Sequence, residues 1–182
     1  MIIPEFEYVS PKSLPEACAL LVQYGDSARV LAGGSDLLVK MKDGLMKPAV
    51  LVSLKNLDSL KAIRYEIGKG VVIGARATHN EVMNNSLLQE KYRSVCEAAH
   101  SMAADQIRNI GTVGGNLANA VPSADMPPIL VALHARARIV GSGGERYSNS
   151  GMITSGLLWT KLPREARSRL RPMGLCHESY RL

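Results

Sequence analysis

Apolar runs alternate along this chain with short polar breaks rich in glycine, and the breaks mark out the elements. The run ACALLV follows an S-x-x-E capping box formed by Ser13 and Glu16 and precedes Gly25, so a helix is predicted over 14–24. The segments ARVLA (28–32) and AVLVSL (49–54) read as strands. Between them Gly33-Gly34 makes a turn, and Ser35-Asp36 behind it has the form of an N-cap opening a short helix in LLVKMKDG.

The second half repeats the mixture. IRYEIGKGVVIGA predicts a hairpin around Gly68-Lys69-Gly70. Thr78 and Glu81 form another capping box, for a helix to about Asn84, and residues 90–103 carry helical apolar spacing at Val95, Ala98, Ala99 and Met102. A second glycine break, Thr112 to Asn116, follows. Asp125, Pro127 and Pro128 then open the helix MPPILVAL, since a first turn tolerates proline. ARARIV (135–140) is a strand ending at the turn GSGGE. This order predicts an α+β fold in two lobes: residues 1–57, residues 58–146, and an atypical basic tail at 147–182.

Composition narrows the function. The chain has 182 residues, 46% of them hydrophobic and 21% charged, and no apolar run of membrane-spanning length. No basic segment followed by an apolar one opens the sequence, so a secretory signal is not expected and the reading is cytoplasmic. The net charge of +6 concentrates past residue 144, where aromatic residues do not alternate with basic ones as a stacking platform would need, which argues against a nucleic-acid partner. Cys18, Cys96 and Cys176 lie far apart and match no zinc or iron-sulfur spacing; Cys18 and Cys96 read as small buried hydrophobes. His79 follows a helix cap and His100 sits near Cys96 in a helix; both read as structural. Neither a G-x-S-x-G elbow nor an H-E-x-x-H helix is present, so hydrolysis is disfavoured and no catalytic or metal-ligating residue is assigned.

The two glycine turns share a form: an apolar approach, a Gly-Gly pair, then a polar residue. Glycine lets backbone come close to a ligand, and N–H groups gathered at such turns suit phosphate oxygens. Neither turn is a P-loop or a G-x-G-x-x-G fingerprint. Their chemistry alone supports diphosphate binding, with two purely structural turns as the other reading.

In order and spacing, VLAGGSDLLVKMK, GVVIGARATHNEV and IRNIGTVGGNLANAVPSADMPPILVAL resemble the FAD-binding medium subunit of molybdenum hydroxylases, the xanthine dehydrogenase and aerobic carbon monoxide dehydrogenase family. The likeness runs from about residue 2 to 146. It implies a two-lobed α+β flavin domain of the vanillyl-alcohol-oxidase type, with FAD between the lobes. It also implies cofactor contacts at Leu31, Ala32, Gly33, Gly34, Ser35, Asp36, Leu37 and Leu38 in the first loop and Thr112, Val113, Gly114, Gly115 and Asn116 in the second. Within these loops the glycine amides and the Ser35 or Thr112 hydroxyl are expected on phosphate oxygens. Asp125 matches a family carboxylate suited to a flavin hydroxyl, and equally the N-cap of the following helix. Gln106 and Arg108 face either the cofactor or a neighbouring subunit.

Such a subunit passes electrons between iron-sulfur clusters, held with the molybdenum cofactor on partner subunits, and an acceptor such as NAD. Past Arg146 the family resemblance ends, and the chain is expected to lack the family's C-terminal domain through truncation or a frameshift. With only eight aromatic residues and no evident ring-stacking candidate, weaker flavin retention is expected. A non-catalytic assembly chain without flavin is the other outcome.

Overall fold

The structure, a computed structural model, describes residues 3–149 apart from Lys69 and Pro122, and the backbone of residues 176–181. The first lobe holds β1 (Glu7–Val9), α1 (Leu14–Tyr24), β2 (Ala28–Leu31), α2 (Leu37–Lys42) and β3 (Val50–Ser53). Its three strands are parallel, in the order β1-β3-β2. Parallel neighbours need crossovers rather than tight turns, and α1 and α2 supply them. All four residues of the central strand β3, three aliphatic ones and Ser53, are buried, as befits the middle of a parallel sheet. Half of the α1 capping box forms, with the Ser13 hydroxyl accepting from the Glu16 N–H at 3.3 Å, while the Glu16 carboxylate accepts from the Lys12 N–H at 2.8 Å instead of from Ser13.

The second lobe opens with the hairpin β4 (Ile63–Glu66) and β5 (Gly70–Gly74); Lys69, expected in its turn, lies outside the described residues. Six short helices follow: α3 (His79–Met83), α4 (Ser86–Lys91), α5 (Arg93–Ser101), α6 (Asp105–Ile110), α7 (Val113–Asn119) and α8 (Met126–Ala132). The chain then forms β6 (Arg136–Gly141), β7 (Gly144–Asn149) and β8 (Cys176–Arg181). Both halves of the Thr78/Glu81 capping box are made.

Two expectations change here. The helix expected over 90–103 is two helices, because the chain breaks at Tyr92, whose φ of −142° and ψ of 52° are not helical. The basic tail, set apart by its composition, contributes β8, which sits between β5 and β6 in the order β4-β5-β8-β6-β7 and pairs antiparallel with both. The rest of that tail, and the Cys176 side chain, lie outside the described residues.

Each lobe packs around its own core. Cys18, Leu21, Val50, Val52, Leu57 and Leu60 fill the first; Val71, Ile73, Val82, Leu88, Val95, Leu117, Met126 and Leu130 fill the second. Cys18 and Cys96 are buried free thiols, and burial raises the pKa of both. Their burial keeps them protonated, matching the hydrophobic role read from sequence.

Candidate binding cleft between the two glycine turns

The strand β5 does not end cleanly. Residues 75–79 continue along residues 111–114 through Val113 N–H to Ala77 O at 3.0 Å, His79 N–H to Gly111 O at 3.1 Å and Gly114 N–H to Ala75 O at 2.9 Å. This seam fixes the second glycine motif against the second-lobe sheet. A Cβ on Gly114 would stand 2.7 Å from the Ala75 carbonyl oxygen, so only glycine fits at that approach. The first turn then docks on the second: a Cβ on Gly33 would lie 1.8 Å from the Ile110 carbonyl oxygen. Across the same junction Lys40 Nζ of α2 donates to Asn119 Oδ1 of α7 at 2.5 Å.

Between the turns lies a cleft of about 1080 Å³, a size suited to a large ligand. Eleven of the fourteen sequence-assigned residues line it: Ala32, Gly33, Gly34, Ser35, Asp36, Leu37, Thr112, Gly114, Gly115, Asn116 and Asp125. Leu31, Leu38 and Val113 do not line the cleft. The first two pack about Gly34, and Val113 is buried in the second core. Asp125 precedes α8 but its side chain makes no capping hydrogen bond, which leaves the carboxylate to the cleft. Gln106 is exposed on α6 and does not line the cleft. Arg108 also does not reach the cleft: its guanidinium donates to the carbonyls of Met102 at 2.8 Å and Ala103 at 2.5 Å. It thereby holds the turn in which Ala103 adopts a φ of 38°.

The two turns differ in what they offer a ligand. The second is the first turn of helix α7, and its amides are spent. Gly114 N–H reaches Ala75 O, Gly115 N–H reaches the Thr112 hydroxyl at 3.1 Å, and Asn116 N–H reaches Thr112 O at 2.9 Å. The glycine amides expected to meet phosphate there are engaged, leaving the Thr112 O–H and the Asn116 side chain, whose buried Oδ1 has no hydrogen-bond partner. In the first turn, the N–H groups of Gly33, Gly34, Ser35 and Asp36 make no hydrogen bond among the described residues. Successive unpaired N–H groups in a turn form an anion-binding concavity.

Among the cleft residues that sequence reading missed are Lys40, Asn119 and His79. Lys40 and Asn119 carried no local signal, because their pairing spans 79 positions. His79, read as a structural residue beside a cap, lines the cleft with its ring 1% exposed and Nδ1 without a partner. Burial lowers its pKa to about 4, while the Asp125 and Asp36 carboxylates pull it the other way. His100, by contrast, is exposed, with Nδ1 3.2 Å from Met83 Sδ.

The described residues suit a polar ligand: buried orphaned polar atoms at Asn116 and His79 and free amides at 33–36 line the cleft. Comparison with known proteins adds to this. Residues 4–154 match the family described as FAD binding domain in molybdopterin dehydrogenase. The chain belongs to that family. It is 40% identical over 146 residues to the carbon monoxide dehydrogenase medium chain of Hydrogenophaga pseudoflava, covering 80% of this chain and 50% of the relative. Likewise it is 31% identical over 140 residues to the xanthine dehydrogenase FAD-binding subunit of Escherichia coli O157:H7, covering 77% and 48%. The chain thus spans about half the length of these curated relatives.

Among solved structures, it matches carbon monoxide dehydrogenase from Hydrogenophaga pseudoflava lacking the Mo-pyranopterin moiety. The TM-score is 0.88 at 35% identity, with 100% of this chain and 60% of that one covered. A second match is quinoline 2-oxidoreductase from Pseudomonas putida 86, with a TM-score of 0.86 at 29% identity and the same coverage. The α+β fold of the family's flavin domain is therefore established for this chain.

Two measurements test the geometry. Replacing Gly33 with Ala forces a methyl group into the Ile110 carbonyl and is expected to cost about 2 kcal/mol or more, read as a lowered midpoint in denaturant unfolding. An unchanged midpoint would show that the turns are not in contact. The pH dependence follows from His79. The unfolded ring takes a proton near its ordinary pKa of 6.5, whereas the folded ring resists it down to about 4. Stability therefore falls as pH drops through this window, by on the order of 3 kcal/mol from this group. His79→Gln is expected to flatten that part of the profile, measured as the difference between variant and parent midpoints at pH 7 and pH 4.5.

Proposed function

We propose that this chain binds FAD in the cleft and serves as the electron-transfer flavin subunit of a multi-subunit molybdenum-containing dehydrogenase or hydroxylase. The observation that carries the reading is the run of unpaired N–H groups from Gly33 to Asp36, facing a cleft closed on its other side by the second glycine motif. A diphosphate matches those donors. Lys40 adds a positive charge to the cleft lining, where an anion would bridge the lobes, and charged partners make stronger hydrogen bonds. The Thr112 O–H and the orphaned Asn116 amide oxygen extend the polar contacts, and Asp125, unengaged as a cap, accepts from a hydroxyl of the bound molecule.

When bound, FAD supplies the redox chemistry, exchanging electrons with iron-sulfur clusters on one side and an acceptor such as NAD on the other. The protein's own part is to bind, orient and shield. Iron-sulfur and molybdenum cofactors belong to partner subunits in this reading. The names of the relatives, carbon monoxide dehydrogenase medium chain and xanthine dehydrogenase FAD-binding subunit, support the same assembly. The buried free thiols suit the reducing cytoplasm, and no helix among the described residues is long and apolar enough to cross a membrane.

Titration of the purified chain with FAD tests the proposal. A bound yellow species with the two visible flavin bands is expected, and Lys40→Met is expected to weaken its binding about tenfold, the worth of one charge-assisted hydrogen bond. A colourless protein at saturating FAD contradicts the proposal.

A further inference from the structure

Resting on the FAD reading above, we infer that His79 is a cofactor-positioning residue, its imidazole hydrogen-bonding the diphosphate–ribityl stretch of bound FAD from the floor of the cleft. The ring is 1% exposed, yet it lines the cleft and no hydrogen bond to it occurs among the described residues. A buried polar nitrogen without a partner costs roughly 1–3 kcal/mol, so a ring placed there for packing alone is an expensive choice over leucine or phenylalanine.

The placement of His79 is over-determined. Its main-chain N–H is held by Gly111 O at 3.1 Å, and Thr78 before it forms an isolated bridge with Thr112. The ring itself packs on Gly111, where a Cβ would meet Cδ2 at 3.1 Å. The same stretch of backbone, residues 110–111, receives Gly33 from the first turn. His79 therefore sits at the point where both glycine motifs converge, which is where the middle of an extended dinucleotide spans the lobes.

The electrostatics select the kind of bond. Asp36 and Asp125 both act on the ring, and both favour its charged form. Burial outweighs them, so the imidazole is neutral near pH 7 and presents one donor and one acceptor rather than a charge. A neutral ring can donate to a phosphate oxygen or accept from a ribityl hydroxyl without adding a buried cation.

The test measures FAD affinity of the full chain by flavin fluorescence for the parent, His79→Phe, His79→Asn and His79→Gln, with folding checked by circular dichroism. His79→Phe fills the ring's volume without its nitrogens and is expected to raise the Kd about tenfold, as loss of one buried hydrogen bond implies. Asn or Gln, each able to mimic one ring nitrogen, is expected to recover most of that loss. If His79→Phe folds and binds FAD like the parent, the inference is overturned while FAD binding itself stands. If the parent binds no FAD, the reading beneath it falls as well. Should His79→Phe fail to fold, the imidazole nitrogen resonances of the parent decide. A several-ppm shift of the buried histidine on saturation with FAD supports the hydrogen bond, and an unmoved signal overturns it.

Discussion

The structure depends on one close approach, that of Gly33 to the carbonyl of Ile110. A single methyl group at residue 33 would overlap that oxygen, so the first turn can dock on the second only with glycine there. Docking is what makes a cleft. Each lobe builds its own sheet, although Val140 of β6 packs against the first core, and neither turn alone has two walls. The Lys40–Asn119 hydrogen bond crosses the same junction and ties the helix leaving one turn to the helix built on the other.

That contact leads to a division of labour between two motifs that look alike as text. The second motif is consumed by structure: its amides satisfy Ala75, Thr112 and the opening turn of α7. Its role is to be a rigid wall from which a hydroxyl and a carboxamide project. The first motif keeps its amides unpaired, and in the proposed function they are the donors for an anion. A buried donor or acceptor without a partner is costly in a folded protein, which sets the His79 and Asn116 side chains apart, and the proposed ligand would engage them together with the unpaired amides of the partly exposed turn at 33–36.

Much of this was legible in sequence because its signals are local. The Thr78/Glu81 capping box and the Ser13 cap formed, α1 runs from Leu14 to Tyr24 as its caps foretold, and the paired Gly-Gly motifs pointed to eleven residues that line the cleft. What escaped depends on contacts distant in the chain. The engaged state of the Gly114 amide follows from a seam with residues 75–79. His79 looked like a residue beside a cap until that seam carried it to the cleft floor. The strand β8 was invisible because its residues lack strand alternation; its place is set by the gap between β5 and β6.

The central claim is that both glycine motifs grip one ligand, the first through its amides and the second through side chains. The most direct measurement is a crystal structure of the chain grown with FAD. The account predicts diphosphate density between residues 33–36 and 112–116, with the oxygens within hydrogen-bonding distance of the Gly33 to Asp36 amides and not of the Gly114 or Gly115 amides. Diphosphate seated on the second motif's amides, or outside the cleft, would contradict it.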